Sequence, residues 1–235
     1  SLAIKTSDND ILLGHNEDWF AEYRRNGLAL VNGRIKNTKF LSLGYIGSLV
    51  GSSSGLNNHG IAYADDSLSY TRFSYDVPRS FHLRALSEVK SQIEAKKVLD
   101  KHGSIVSSTL VVLSNKVITN VEELWNKDQF FKKNDWLVHT NHPLIKKDRN
   151  KYNTEKWSVR RCEKAKEIIL KEKKLTLDTV KKVLKDHTTG ICGHAKKHRY
   201  DDSVTLASVI MNPKDKWLLL CNTNPCKGIY KKYHL

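Results

Sequence analysis

Apolar and polar positions change rhythm several times along this chain, and each change marks an element. Leu2 and Ile4 lead into Thr6-Ser7-Asp8-Asn9-Asp10, a run of turn formers. Ile11-Leu12-Leu13 then returns toward the polar cluster Gly14-His15-Asn16-Glu17-Asp18-Trp19. The pattern predicts a tight hairpin that carries Asn16 and Asp18 back beside Ser1. Leu28-Ala29-Leu30-Val31 and Phe40-Leu41-Ser42-Leu43 read as two further strands, with Asn32-Gly33 as the turn between them. The stretch from Gly47 to Gly60 is rich in Gly, Ser and Asn and reads as a loop running into strand Ile61-Ala62-Tyr63-Ala64.

The period then lengthens. Pro78 opens a helix in which Leu83, Leu86, Val89 and Ile93 recur at three- and four-residue steps, closing at His102-Gly103. Ser108 to Leu113 reads as a buried strand with Lys116 to Thr119 as its hairpin partner, and Trp136 to Thr140 as another strand, ending at Asn141-His142-Pro143. Residues 146–153 are basic and polar, as in an exposed loop. Val159, Cys162, Ala165 and Ile169 mark one helix, and Leu177, Val180 and Leu184 a second, capped by Thr176. His187 to Arg199 is loop-like, broken by Gly190 and Gly193. Val204 to Met211, the turn Asn212-Pro213-Lys214-Asp215 and Trp217 to Cys221 form a closing hairpin. Strands at both ends, helices in two blocks and no repeat or linker predict a single α+β domain over residues 1–235, layered and with mainly antiparallel sheets.

Composition narrows the class. With 39% hydrophobic and 28% charged residues in 235, the chain reads as globular, and no apolar run approaches the roughly 20 residues that span a bilayer. Four cysteines at irregular spacing are too few for a disulfide scaffold and favour a reducing, cytoplasmic setting. Tyr233-His234-Leu235 is a poor peroxisomal tail, with tyrosine wrong at its first place. The net charge of +15 comes largely from lysines between Lys164 and Lys185, and around Lys196-Lys197-His198-Arg199. In the first of these regions lysines alternate with glutamates and apolar positions, as on the wet face of a helix. Aromatics are not interleaved with the basic residues, so neither a nucleic acid nor a membrane is an expected partner. Attraction of an anionic substrate stays open.

Chemistry concentrates at the first hairpin. A small hydroxyl residue, an α-amine and a carboxylate in one corner are the parts of an N-terminal nucleophile, with the amine as base for its own side chain. An unperturbed α-amine titrates near pH ~7.7–8, within reach of that task. Asp18 is the carboxylate expected to orient it, whereas alternation should turn Glu17 to the opposite face. Attack on a carbonyl builds charge on oxygen, and a side-chain amide is a suitable donor to it. Cys192-Gly193-His194 with His187 and His198 hints at zinc, but a structural site wants four ligands in paired spacing. Only one cysteine lies in that region, so no metal and no cofactor are assigned. Cys221 and Cys226 read as small buried or loop residues.

Ser1-Leu2-Ala3-Ile4 with Gly14 to Trp19, Gly55-Leu56-Asn57-Asn58-His59-Gly60, His139-Thr140-Asn141-His142 and Thr205 to Met211 occur in an order that resembles the acyl-coenzyme A:isopenicillin N acyltransferase family. Those N-terminal-nucleophile hydrolases are related to the bile salt hydrolases and penicillin V acylases, and the resemblance covers nearly the whole chain. It implies a four-layer αββα sandwich and a small amide or acyl-thioester substrate. It also implies an acyl-enzyme and maturation by self-cleavage, with the freed N-terminal fragment retained as a second chain. It places Asp18 as the catalytic aspartate and Asn141 as the oxyanion asparagine, Asn57 beside the oxyanion site, and Arg199 as support for the aspartate or a substrate carboxylate. The family nucleophile is a cysteine, and none stands at this position. Either Ser1 replaces it or Ser1 follows it by one or two residues. Substrates within the family range from penicillin-type acyl donors to β-alanyl amines, the latter hydrolysed in insects. A competing expectation is a basic member that lost its nucleophile and binds polyanions.

Overall fold

Ala3, Leu13, Val209 and Met211 of one sheet pack in a single buried cluster with Leu41, Leu43, Leu56 and Val112 of another. In the computed structural model the described residues are 1–68, 77–100, 107–113, 117–123, 129–133, 135–144, 156–195 and 203–235. Their strands are β1 (Leu2–Lys5), β2 (Ile11–Phe20), β3 (Leu28–Ile35), β4 (Thr38–Tyr45), β5 (Ser54–Asn57), β6 (Ile61–Ser67) and β7 (Ser107–Leu113). There follow β8 (Val117–Glu123), β9 (Gln129–Lys133), β10 (Trp136–Val138), β11 (Ser203–Asn212), β12 (Trp217–Cys221) and β13 (Lys231–His234). The helices are α1 (Arg79–Leu86), α2 (Gln92–Asp100), α3 (Lys156–Lys171) and α4 (Leu177–Lys185).

Among the described residues, one sheet runs β10-β1-β2-β11-β12-β13 and the other β3-β4-β5-β6-β7-β8-β9. Every pairing is antiparallel. Alternation decides what each face meets. In the first sheet Ala3, Ile11 and Leu13 point to the other sheet, while Leu2, Ile4 and Leu12 meet Cys162, Ala165 and Ile169 of α3 and Val180 and Leu184 of α4. In the second sheet Ile61, Tyr63 and Val111 meet Leu83 and Leu86 of α1 and Leu99 of α2. The layers are therefore helix, sheet, sheet, helix: the αββα sandwich. Strands covered on both faces read as continuous apolar runs, as Ile11-Leu12-Leu13 does. Each such aliphatic side chain contributes about 1.5–3 kcal/mol on burial.

Several sequence expectations need correction. Asn32-Gly33 is not a turn but lies inside β3, where Gly33 stands opposite Phe40. A Cβ at Gly33 would run into the Phe40 ring, so the glycine makes room for the ring, and the chain turns instead at Lys36-Asn37, with Lys36 at φ 51°. The apolar spacing from Leu83 to Ile93 belongs to two helices rather than one. Val89 is buried in the break between them, whereas Ile93 is 70% exposed. Ser91 restarts the helix: its hydroxyl accepts the Glu94 N–H at 3.1 Å and its carbonyl the Ala95 N–H. The helix end expected at His102-Gly103 and the loop at 146–153 lie outside the described residues. Strand β5 lies within the stretch Gly47 to Gly60 that reads as a loop, and β9 and β13 are short strands, each carrying two lysines, that the apolar pattern does not mark. On the wet face of α3 and α4 several lysines pair with acids, Lys164 and Lys171 with Glu167, Lys182 with Glu172 and Lys181 with Asp178. No helix among the described residues is long and apolar enough to cross a membrane.

Gly14 fixes how closely β2 approaches α4. A Cβ there would lie 2.6 Å from Val180 Cγ1, 3.0 Å from Leu2 Cδ2 and 3.1 Å from Leu184 Cδ1. Val180 is β-branched and fully buried, so it cannot swing aside. Gly14→Ala should therefore destabilise by about 1–3 kcal/mol. Urea unfolding measures it; an unchanged midpoint would mean the two elements part freely.

Candidate active site

The β1–β2 register pairs Leu2 with Gly14, and the β1–β10 register pairs Leu2 with Val138. Ser1 thus emerges between His15 on one side and His139 on the other. Its hydroxyl lies 2.9 Å from His15 Nδ1, and His15 Nε2 lies 3.1 Å from Glu17 Oε2. Behind these, Tyr45 OH donates a short hydrogen bond to Glu17 Oε1. Burial works to raise the Glu17 carboxyl, but His15 and Tyr45 hold it below its ordinary value. Burial and the facing Glu17 charge push the Tyr45 phenol far up, so it stays a donor. Hydroxyl, imidazole, carboxylate and phenol form one line through the space between the sheets.

The Ser1 amine donates to His139 O at 3.0 Å and to Asp66 Oδ1 at 3.4 Å. The His139 ring is fully buried between two carboxylates. Its Nε2 lies 3.0 Å from Glu122 Oε1, and its Nδ1 makes a 3.3 Å charge contact with Asp66 Oδ2 that misses hydrogen-bond geometry. Burial acts to neutralise the ring, yet Asp66 and Glu122 outweigh it and raise its pKa. Burial likewise acts to raise Asp66, but the amine and His139 hold it far below the ordinary carboxylate range.

Asp18 does not take the place expected of it. The carboxylate beside the amine is Asp66, from the opposite sheet. Alternation does separate Glu17 from Asp18, but Glu17 is the one joined to Ser1 through His15. Asp18 faces the helical layer, where Thr205 Oγ1 donates to Oδ1 at 2.6 Å and Arg161 Nη1 stands 3.8 Å from Oδ2. Burial raises the Asp18 carboxyl, with Arg161 and Thr205 opposing. Arg161 also donates to Asn141 Oδ1 at 2.5 Å and lies over the Trp157 ring at 4.2 Å. Asn141 donates one side-chain hydrogen to Ser67 O at 2.8 Å, and its own backbone N–H goes to Ser158 Oγ. Ser1, His15, Asp18, Asn141 and Arg161 all line one cleft of about 1080 Å³.

Asn57 is not in that cleft wall. Buried at 1% exposure, it donates to Ser87 O and Val89 O at 3.3 and 2.7 Å and accepts from the N–H groups of His59 and Ile61. Its amide hydrogens are spent on the carbonyls freed by the α1–α2 break, so it braces that break and cannot serve an oxyanion. Asn57→Ala should cost about 1–3 kcal/mol for orphaned groups while kcat of the folded protein holds. A loss of kcat at unchanged stability would restore the oxyanion role. Arg199 lies outside the described residues.

Sequence reasoning missed Asp66, Glu122, His15 and Arg161. For Arg161 a signal existed: it sits at the spacing of Ser158, Cys162, Ala165 and Ile169, a cation on the apolar stripe of α3. For Asp66 there was a pair of adjacent acids, Asp65-Asp66, closing the apolar run of strand β6. Nothing local announces Glu122, whose partner is seventeen residues away.

The sequence matches the family described as acyl-coenzyme A:6-aminopenicillanic acid acyl-transferase over residues 4–227. Among curated proteins no sequence matches it. Similar solved structures include the Caenorhabditis elegans ortholog of N-acylethanolamine-hydrolyzing acid amidase, at 15% identity and TM-score 0.67, over 100% of this chain and 99% of that one. A mutant form of the conjugated bile acid hydrolase from Clostridium perfringens aligns at 13% identity and TM-score 0.65, over 100% and 96%. Penicillin V acylase from Agrobacterium tumefaciens aligns at 11% and 0.58, over 94% and 82%. The chain belongs to the acyl-coenzyme A:6-aminopenicillanic acid acyl-transferase family, and with it to the amide-hydrolysing and acyl-transferring enzymes of the N-terminal-nucleophile class.

Proposed function

We propose that this chain is the nucleophile-bearing part of a self-cleaved precursor, and that it hydrolyses or transfers the acyl group of a small amide or acyl thioester through an acyl-enzyme. The reacting carbonyl sits at the N-terminal end of β1. The observation that carries this is the convergence on one cleft of a hydroxyl with an imidazole–carboxylate line behind it and of an asparagine amide fixed by Arg161. In the mechanism, Ser1 Oγ attacks the carbonyl carbon and gives its proton to His15, which Glu17 orients. The oxygen takes up the electron pair and is held by the Asn141 amide hydrogen that Ser67 does not use. Collapse expels the amine or thiol, which receives the proton, and water or an acceptor amine then releases the acyl group.

A second position for the nucleophile has its own support. Continued in register, β1 would bring a residue two places ahead of Ser1 level with Glu17 on one side and Asn141 on the other, beside Asp18. A cysteine there would use its own amine as base and Asp18 as its orienting carboxylate. The precursor expressed from its full natural reading frame tests both. Two chains by intact mass support self-cleavage, and the first residue of the larger names the nucleophile. One uncut chain without turnover on N-acyl amines, β-alanyl amines or acyl thioesters would overturn the proposal and favour a polyanion-binding protein, whose binding falls steeply with salt.

Asp18 must be ionised to hold Arg161, and its pKa is raised. Activity should therefore be lost on acidification at a pH above the ordinary aspartate value of about 3.9. A pH profile of kcat/KM, compared between the native protein and Asp18→Glu, locates that limb. A limb unmoved by the exchange would assign it to another group.

A further inference from the structure

Four side chains able to ligate a metal gather beside the cleft, three from one connection and the fourth from a remote one. His187, Cys192 and His194 lie on the connection from α4 to β11, and Cys226 comes from the connection between β12 and β13. Cys192 Sγ and Cys226 Sγ are 3.5 Å apart. His194 Nε2 lies 3.6 Å from the first sulfur and 3.3 Å from the second. The ligand atoms of His187, His194 and Cys226 all fall within 4.8 Å of one another. A tetrahedral zinc with bonds of about 2.3 Å to sulfur and about 2.05 Å to nitrogen has edges of about 3.8 Å between sulfurs and about 3.6 Å from sulfur to nitrogen. The three measured separations match those edges to within a few tenths of an ångström.

We propose that His187, Cys192, His194 and Cys226 bind a structural zinc ion. Two thiolates and two neutral imidazoles offset the dication's charge, and the two thiol protons pass to solvent. The surroundings are built to hold the ligands. Asn224 Nδ2 points to Cys192 Sγ at 3.5 Å and donates to Gly193 O at 2.6 Å, and Arg24 fixes Asn224 Oδ1 at 2.6 Å. The metal would have a position to defend in the cleft. Gly193, between two of the ligands, donates its N–H to Thr205 Oγ1 at 2.8 Å, and that hydroxyl donates to Asp18. A clip joining the two connections thus steadies Asp18 from behind. The competing use of the same sulfurs is a disulfide, which would need them at about 2.05 Å and gives no reason for two histidines to assemble there.

The test is elemental analysis of the full mature protein, purified without a polyhistidine tag from zinc-supplemented cells. About one zinc per chain is expected, falling at least about tenfold in Cys192→Ser and Cys226→Ser. Cobalt exchanged into the native protein should show thiolate charge-transfer absorption and tetrahedral bands, a readout that needs no variant to fold. Folded native protein without metal, whether its thiols are free or joined in a disulfide, would overturn the proposal. So would zinc retained in both cysteine variants.

Discussion

Asn141→Ala should lower kcat by about two to three orders of magnitude, with KM changed far less. The amide stands three residues past β10 with its carbonyl oxygen fixed by Arg161 and one hydrogen fixed by Ser67 O. Such a donor is set before the reaction starts and costs no reorganisation when charge appears on the substrate oxygen. Alanine removes the donor but leaves the backbone N–H on Ser158, so the loop should hold. Asn141→Asp separates donation from packing. It keeps the volume and an acceptor for Arg161 but has no N–H, and should be as slow as alanine. An active aspartate variant would show that Asn141 acts only by positioning Arg161.

Asp66→Asn should destabilise the fold by about 3–5 kcal/mol, because it leaves a buried imidazolium with one of its two carboxylates gone. The pH dependence tells charge from packing. Asp66 has a depressed folded pKa, so its contribution is present above its unfolded value of about 3.9 and is lost as pH falls through the folded one. His139 has a raised folded pKa, so its contribution is present below its unfolded value of about 6.5 and is lost as pH rises through the folded one. The gap between native protein and variant should be widest between about pH 4 and 6.5 and should narrow in alkali. Urea unfolding at acid, neutral and alkaline pH measures it. A gap that stays the same from neutral pH into alkali would mean that His139 carries no charge there to lose.

The frame of the molecule was legible where apolar positions keep a strict period. Leu2 to Leu13, Ser108 to Leu113, Val159 to Leu184 and Val204 to Cys221 all fold as their spacing indicates, because burial on one or both faces leaves each stretch one arrangement. Legibility failed where a tertiary partner decides. Gly33 looks like a turn until Phe40 is placed against it, and the helix after Pro78 breaks where Asn57 supplies donors from another layer. The candidate site divides in the same way. The hairpin that brings β2 back to Ser1 is local, so the polar cluster at its end lies beside Ser1 as its spacing indicates. Which acid reaches the amine is settled by the stacking of the two sheets, and no pattern within β2 can reveal Asp66. Spacing shows a single cysteine near His187 and His194, and the fold brings Cys226 to Cys192 from thirty-four residues away.

The basic charge also takes a plainer meaning in three dimensions. Glu167 accepts from both Lys164 and Lys171 on the exposed side of α3, an arrangement that keeps the face wet. The opposite stripe of the same helix carries Arg161 into the cleft. One helix therefore supplies both the solvated surface and the cation that ties Asp18 to Asn141.

The acyl-enzyme itself can be trapped. The mature protein is mixed with a slowly released acyl donor, quenched in acid within the first turnover and digested for peptide mass. The mechanism predicts an acyl adduct on the peptide from the N-terminal end of β1, on Ser1 or on a cysteine just ahead of it, and slower decay of that adduct in Asn141→Ala. Turnover with no adduct, or an adduct confined to another peptide, would contradict it.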